Sequence, residues 1–255
     1  MLHLMCIQRM LDIEVLPFRT HPAVVHAQGY QPYKPHWAPI RDAYYATPAS
    51  RETLPPDLTI VTCNNGHPAM GCFERSLRHM GLECGVLGHG VSPWINSRDK
   101  PDLIARAARR CVTGFILYAD SRDALLIQPP QLLLGRFKAC FNCDLLFGAD
   151  RLSYPPNPTW KSFEDNLAGA AHSDFKYLNA GTWIGRTQFV AEFFEKASRW
   201  KPFSSAPESE QGIIRDLLPW AGSRVAIDYR CDIFLNVGFL VGHRIRIHEA
   251  QGHPK

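Results

Sequence analysis

The chain has 255 residues, of which 45% are apolar and 20% charged, and its formal net charge is +4. This composition excludes disorder as a description of the whole chain, and the length suits one large α/β domain or two small ones. The charge is too small to indicate a nucleic-acid partner, and no apolar run approaches the roughly 18 residues that span a membrane. Because polar residues interrupt the first apolar stretch, no signal peptide is predicted and a cytoplasmic location is favoured.

The N-terminal part differs in composition from the rest. Residues 30–57 are rich in proline and aromatic side chains, which disfavours regular elements and predicts an irregular connector. We therefore divide the chain into an N-terminal segment with its connector, residues 1–56, and an α/β domain, residues 57–255.

The first half of that domain alternates strands and helices. LTIVTC at 58–63 is a β-branched run that predicts a strand, residues 71–82 carry apolar side chains at helical spacing, and CGVLGHG predicts a second strand. Pro101 then opens a helix, because proline is tolerated in a first turn, and FILYAD follows as a strand buried on both faces. These strands are predicted to be parallel.

The second half continues the pattern. Helices are predicted over 131–137, 187–200 and 210–220, and strands over 143–150, 177–185 and within 224–237. Alternation on this scale indicates an α/β layered domain, in which ligands gather at the carboxyl ends of the strands.

The strongest chemical signal follows FILY. Asp120 and Asp123 lie three residues apart at the predicted mouth of a buried strand. Mg²⁺ and Mn²⁺ take oxygen ligands and often bridge a carboxylate pair to a diphosphate, so this spacing suits a nucleotide-sugar metal site. A helix cap with a solvated turn would explain the same residues.

The order of motifs over residues 58–237 carries a resemblance. A strand precedes D-x-x-D, and then come a helix, a strand ending G-A-D, a Tyr-Pro loop, Y-L-N-A-G-x-x-I-G, an acidic–Gln pair and A-I-D-Y-x-C-x-I-F. This order resembles the glycosyltransferase domain of the lysyl hydroxylase (collagen glucosyltransferase) family. The resemblance implies a GT-A-like, Rossmann-type mixed sheet flanked by helices, and transfer of a hexose from a UDP-sugar to an acceptor hydroxyl of a glycan, protein or small molecule.

The resemblance also assigns roles to residues. It implies that Asp120 and Asp123 bind Mn²⁺ or Mg²⁺ and that Glu210, Gln211 and Asn179 lie near the transferred sugar and acceptor. The residues matched to donor contacts are Thr62, Asn64, Asn65, Lys100, Arg122 and Gly181. A buried turn amide is the competing role for Asn179, a helix cap for Glu210, and a solvated helix start for Lys100.

The family's third metal ligand is a His in a P-x-V-V-H-x-N-G tail. This chain has no such tail after the I-F segment, but residues 22–29, PAVVHAQG, have that form near the N-terminus. A gapless comparison pairs residues 1–22 with 233–254 at few identities, which suggests a permuted domain or the tail of a preceding module. We therefore predict that His26 is the third ligand; His248 and His253 are weaker candidates, and a surface His in an edge strand is the alternative.

The departures from the family leave other functions open. Arg122 stands where an aromatic usually stacks on uracil, Ala180 replaces Ser, and Glu210 replaces Asp. A catalytically inactive module that binds a nucleotide or glycan is the first alternative. The second is a metal-dependent hydrolase that uses the two aspartates with His67 or His89, which would need further ligands close in space.

Overall fold

The computed structural model describes residues 10–29, 34–169, 171–240 and 244–248. Within these ranges the helices are α1 (Trp37–Ala46), α2 (Cys72–His79), α3 (Asn96–Arg110), α4 (Pro130–Cys140), α5 (Pro158–Leu167), α6 (Thr187–Ser198) and α7 (Glu210–Ala221). The strands in the same ranges are β1 (Asp12–Val15), β2 (Val24–His26), β3 (Leu58–Cys63), β4 (Gly85–Leu87), β5 (Phe115–Ala119), β6 (Ala124–Leu126), β7 (Leu145–Asp150), β8 (Tyr177–Arg186), β9 (Val225–Asp228), β10 (Phe234–Asn236) and β11 (Ile245–His248).

The largest sheet has six strands in the order β4-β3-β5-β8-β7-β9. Strands β4, β3 and β5 are parallel, β8 runs antiparallel to both of its neighbours, and β9 is parallel to β7. The prediction of an α/β fold with a mixed sheet flanked by helices is therefore confirmed.

The central strands are apolar because both faces of the sheet are covered. Every residue of β5 and β7 is buried, as expected for strands between layers of helices. On this sheet α3 and α6 pack against each other, and α6 also contacts β5 and β8. Tyr118 stacks on Trp183 at 5.2 Å between ring centroids, so adjacent central strands also share an aromatic contact.

A second, three-stranded sheet has the order β10-β2-β6. In it β2 lies parallel to β10, where His26 is opposite Asn236, and antiparallel to β6, where His26 is opposite Ala124. Strand β6 directly follows Asp123. The N-terminal strand β2 therefore brings His26 beside the D-x-x-D turn of the same chain.

The pairing of β7 with β8 is interrupted by a bulge. Phe147 is opposite Trp183, whereas the next residue, Gly148, is opposite Asn179. The three intervening residues of β8, 180–182, have no paired residue on β7, and the Gly181 carbonyl accepts a hydrogen bond from the Asp120 backbone N–H at 2.8 Å. The bulge thus brings β8 against the D-x-x-D turn, at a place where such irregularities commonly shape sites.

Two local predictions need correction. Residues 37–46 of the predicted irregular connector form α1, because Pro39 falls in the first turn, where a missing N–H breaks no helical hydrogen bond. Helix α3 begins at Asn96 and not at Pro101, because the Asp99 carboxylate accepts from the Ile95 N–H at 2.7 Å and caps an additional turn. Lys100 therefore lies inside a helix and is buried.

The chain ends that resemble one another in sequence are paired in space. β1 and β11 form a two-stranded antiparallel sheet, with Ile13 opposite Ile247 and Val15 opposite Ile245. The division at residue 56 and the permuted or preceding-module origin of the N-terminal segment stay predictions. Within the described part of the chain, no helix has the length and apolar character needed to cross a membrane.

Candidate functional site

Three side chains from distant parts of the sequence meet at the carboxyl end of β5, a central strand of the six-stranded sheet. The Nε2 atom of His26 lies 3.6 Å from Asp120 Oδ2 and 3.5 Å from Asp123 Oδ1. Among the described residues these three form the one group of His, Cys, Asp or Glu whose ligand atoms lie within 4.8 Å of each other. The His26 side chain is buried, whereas the Asp120 and Asp123 side chains are 32% and 27% exposed, so the group opens toward solvent through the carboxylates.

The second oxygen of each carboxylate is held by a cation. Asp120 Oδ1 accepts from Lys100 Nζ at 2.8 Å and from the Tyr118 hydroxyl at 2.7 Å. Asp123 Oδ2 accepts from Lys34 Nζ at 3.1 Å. Each aspartate therefore directs one oxygen to His26 and the other to a lysine.

These contacts shift the ionisation of the groups. Burial lowers the pKa of His26, but Asp123 and Asp120 raise it above its usual value. Burial likewise opposes ionisation of Asp123, yet His26 and Lys34 hold the pKa of its carboxyl below the usual range. The pKa of Lys100 is raised despite its burial, because Asp120 and Glu210 flank the ammonium group. The cluster is thus a set of compensating charges.

Because Gly181 has no side chain, it leaves room for the His26 imidazole and the Asp120 carboxylate. A Cβ atom at this position would lie 2.3 Å from His26 Cε1 and 2.7 Å from Asp120 Oδ2. Real Cβ contacts are not this short, so any larger residue would displace the imidazole or the carboxylate. Gly181, which the resemblance matches to a donor contact, therefore packs directly against His26 and Asp120.

A polar cavity of about 220 Å³ adjoins the two aspartates. Its walls contain residues from β3 and the loop after it, the loop before α3, α3 itself, β5 and the D-x-x-D turn. They are Cys63, Asn64, Asn65, Trp94, Asn96, Lys100, Tyr118, Asp120, Ser121, Arg122 and Asp123. The Cys63 thiol has its pKa raised to about 12 by burial and is therefore neutral at physiological pH.

The predicted donor residues take different positions around this cavity. Asn65 and Arg122 line it, and the Arg122 guanidinium donates to the His67 carbonyl at 2.8 Å. Asn64 also lines it, but its side chain bonds internally to Glu74, Ser121 and the Gly66 N–H. The Thr62 hydroxyl is fully buried and donates to the Ala119 carbonyl, so it joins two strands and does not reach the cavity.

The residues matched to the sugar and acceptor side form a second network. Glu210 pairs with Lys100 at 2.6 Å, and because Lys100 also contacts Asp120, this pair joins α7 to the cluster of His26, Asp120 and Asp123. Gln211 accepts from the Ala180 N–H at 2.9 Å and donates to the Tyr154 carbonyl at 2.7 Å. Asn179 accepts from the Gly181 N–H and donates to Asp150. Gln211 and Asn179 therefore hold the backbone around the β8 bulge.

Sequence reasoning missed Lys34 and Trp94. Lys34 lies in the proline-rich segment, where nothing in the sequence distinguishes it from a solvated lysine. Trp94 precedes Lys100 by six residues in a loop, and its indole N–H donates to Asn96. Trp94 could have been found from the sequence, because it is an aromatic residue in a polar loop shortly before Lys100, which the resemblance matches to a donor contact.

The other histidines lie apart from the cluster. His67 and His89 are not members of the group formed by His26 and the aspartates, so the ligands that the hydrolase alternative needs are not found among the described residues. His248 bonds to Glu14 in the β1–β11 sheet. His253 lies outside the described residues.

The donor set fits a divalent cation. Two carboxylate oxygens and one imidazole nitrogen are ligands that Mn²⁺ accepts, and carboxylates also suit Mg²⁺. Adjacent ligands of an octahedral ion with bonds of about 2.1 Å are about 3 Å apart. The separations of 3.5 and 3.6 Å from His26 Nε2 are close to that spacing.

Comparison with family models found no match to this chain, and no curated protein matches it either. One similar solved structure is a glucosyl-3-phosphoglycerate synthase from Mycobacterium tuberculosis, in complex with Mn²⁺, UDP-glucose and phosphoglyceric acid. The identity is 13%, 84% of this chain and 76% of that chain are covered, and the TM-score is 0.33. A likeness of this size assigns neither a family nor an activity, and the resemblance to the collagen glucosyltransferase domains stays a prediction.

Proposed function

We propose that the protein is a metal-dependent glycosyltransferase with a GT-A-like domain that moves a hexose from a UDP-sugar to an acceptor hydroxyl. The observation that carries this proposal is the meeting of His26, Asp120 and Asp123, of which the two aspartates line a polar cavity. Strand β2 supplies the histidine, and the turn between β5 and β6 supplies the carboxylates. A solvated helix cap would not bring a buried histidine from a distant strand beside the two aspartates.

In this function His26, Asp120 and Asp123 would hold Mn²⁺ or Mg²⁺. The bound ion would supply Lewis-acid stabilisation of the negative charge that develops on the departing diphosphate. Lys100 and Lys34 place two further positive charges beside the same carboxylates. They orient the oxygens and reduce the repulsion that a diphosphate would meet from two aspartates.

The nucleotide would lie in the cavity beyond the aspartates. Asn65 offers amide hydrogen-bonding groups there, while Trp94 and Arg122 offer planar faces on which a base can stack. Arg122 is exposed, and the hydrogen bond from its guanidinium to the His67 carbonyl holds it at the wall. Asn64 would form part of this wall, and Thr62 would support it from behind.

The sugar and the acceptor would lie on the side of α7. Glu210 is the group best located to orient an acceptor or sugar hydroxyl, since Lys100 connects it directly to Asp120. Gln211 and Asn179 would act by holding the β8 bulge in position. Cys63 is not a candidate nucleophile, because its neutral thiol lacks the reactivity of a thiolate.

A panel of UDP-sugars tests the proposal. With Mn²⁺, the wild-type protein should release UDP from at least one donor, and Asp120→Asn should lose that release. Asp102→Asn is the matched control, because Asp102 is an exposed carboxylate on α3 paired with Arg106. No release of UDP from any donor, or release that survives Asp120→Asn, would contradict the proposal.

A module that binds a nucleotide without turnover is the second candidate. This candidate is favoured because the side chains of Gln211 and Asn179 make hydrogen bonds within the protein, so these polar groups are not free to contact a sugar or an acceptor. Calorimetry with UDP and Mn²⁺ separates the two functions. Tight UDP binding together with no sugar release for any donor or acceptor would favour the binding module.

A further inference from the structure

The buried partner of His26 has no role in the function described so far. Asn236, in β10, lies opposite His26 across the β2–β10 pair, and its Oδ1 is 2.7 Å from His26 Nδ1. Its Nδ2 donates to the Ala149 carbonyl of β7 at 2.6 Å. Asn236 is 1% exposed, so these contacts are made away from water.

The direction of both hydrogen bonds follows from the chemistry of the partners. A backbone carbonyl only accepts, so the amide NH₂ of Asn236 must face Ala149 and its oxygen must face His26. An amide oxygen also only accepts, and therefore His26 Nδ1 must carry a hydrogen. In the neutral imidazole the lone pair is then on Nε2, the atom that lies between Asp120 and Asp123.

We propose that Asn236 is a positioning residue that fixes the tautomer and ring orientation of His26 so that Nε2 can ligate the cation. This inference rests on the metal-dependent function proposed above and extends it to a residue outside the cavity. The Ala149 carbonyl fixes the orientation of the Asn236 amide, and the amide oxygen keeps a hydrogen on His26 Nδ1. The lone pair of the neutral imidazole is therefore on Nε2, which faces the two aspartates. The chain of contacts joins β7, β10 and β2 to the cluster of His26, Asp120 and Asp123.

Removing the acceptor should weaken metal binding. Partners of metal-bound histidines typically contribute about 10–100-fold to metal affinity. We expect Asn236→Leu to weaken Mn²⁺ binding by this factor, measured by calorimetry and by electron paramagnetic resonance of free Mn²⁺. Pulsed resonance on bound Mn²⁺ should show coupling to an imidazole nitrogen in the wild type, and this coupling should fall in the variant.

Asn236→Asp separates positioning from simple support of the core. Aspartate keeps an acceptor for His26 Nδ1 but loses the donor to Ala149, so the melting temperature should fall while Mn²⁺ affinity and nitrogen coupling are kept. Ser173→Ala is the matched control, since Ser173 is also a buried polar residue and its hydroxyl donates to the Tyr229 carbonyl, away from the cluster of His26, Asp120 and Asp123. It should leave Mn²⁺ binding unchanged.

The outcomes are distinct. If Asn236→Leu does not fold, Asn236→Asp decides, and a parallel loss of melting temperature and Mn²⁺ affinity overturns the inference. Unchanged affinity and coupling in a folded Asn236→Leu overturn it too, as does a wild type that binds no Mn²⁺. A wild type that binds Mn²⁺ with nitrogen coupling but transfers no sugar leaves this inference intact and contradicts the proposed function alone.

Discussion

Two buried cations each bridge α7 to another part of the protein, but their surroundings differ. Arg215 pairs with Glu164 at 2.6 Å, and both side chains are almost completely buried. Lys100 pairs with Asp120 and with Glu210, and these carboxylates are 32% and 12% exposed. The first bridge is closed on all sides by protein, whereas the second opens onto the cavity.

The closed bridge holds a loop in place. Besides Glu164, the Arg215 guanidinium donates to the Pro155 carbonyl and the Ser153 hydroxyl, each at 2.7 Å. Glu164 also accepts from the Leu178 N–H of β8. The comparison teaches that a buried cation supports the fold when protein encloses its acceptors, and remains available to a ligand when its carboxylate partners reach solvent.

The largest expected effect breaks the closed bridge. Glu164→Gln leaves Arg215 as a buried charge without a carboxylate, which should lower the free energy of unfolding by about 3–5 kcal/mol. Urea denaturation followed by circular dichroism measures this change. Lys161→Met, which removes an exposed ion pair on the same helix, is the control and should leave the unfolding curve unchanged. Equal stability of Glu164→Gln and wild type would contradict the comparison.

Breaking the open bridge should affect turnover more than folding. Lys100→Met removes a positive charge beside the proposed diphosphate site, and loss of one such electrostatic group typically lowers kcat by roughly 10²–10³-fold. Its aspartate and glutamate partners can be hydrated through the cavity, so the stability loss should be smaller than that of Glu164→Gln. UDP release at saturating Mn²⁺ and urea denaturation of the same samples measure both effects. If Lys100→Met unfolds as easily as Glu164→Gln but keeps its turnover, Lys100 supports the fold and not the reaction, and the comparison is contradicted.

The metal side of the open bridge can be tested separately. His26→Ala should weaken Mn²⁺ binding by more than the roughly 10–100-fold expected for a residue that only contacts a ligand. Calorimetry provides the affinity, and His248→Ala is the control because His248 bonds to Glu14 in the β1–β11 sheet. Unaltered Mn²⁺ affinity in His26→Ala would remove His26 from the proposed site.

The Cys63 thiol in the cavity wall should be unreactive at neutral pH. Burial raises the pKa of Cys63 to about 12, so the neutral thiol persists as the pH rises and the reactive thiolate forms only near that value. At pH 8 iodoacetamide should modify Cys63 on the order of a thousandfold more slowly than a free cysteine with a pKa of about 8.5. Mass spectrometry of labelled peptides, with the exposed Cys140 as the internal comparison, measures the rates. Rapid labelling of Cys63 at pH 8 would show that the cavity wall is more hydrated than the structure indicates.

The sequence allowed much of the large sheet to be predicted because its strands are short apolar runs between helices with clear periodicity. FILYA and LLFGAD became β5 and β7, and the Asp120 turn could be located at the end of a strand. The three-residue strands β2 and β6 carry no such signal, since β6 is stabilised by pairing with β2, and β2 by pairing with both β6 and β10. Which strands would pair could not be predicted from local pattern.

The candidate site divides in the same way. Asp120 and Asp123 were predicted from spacing at a strand end, and His26 only from the resemblance of its motif to a tail found elsewhere in the family. Asn236 and Lys34 were missed, because a polar residue in a buried strand and a lysine between prolines gain meaning only from what they face in space.

The bulge in β8 has a consequence for how this protein can vary. Its three residues, 180–182, connect three neighbours: the Ala180 N–H bonds to Gln211 of α7, the Gly181 carbonyl bonds to the Asp120 N–H, and Thr182 pairs with Ala119 of β5. Inserting or deleting one residue there would reverse the side-chain alternation and displace the α7 and turn contacts together. Sequence length in this stretch should therefore be invariant among functional homologues, even where the surrounding loops grow or shrink.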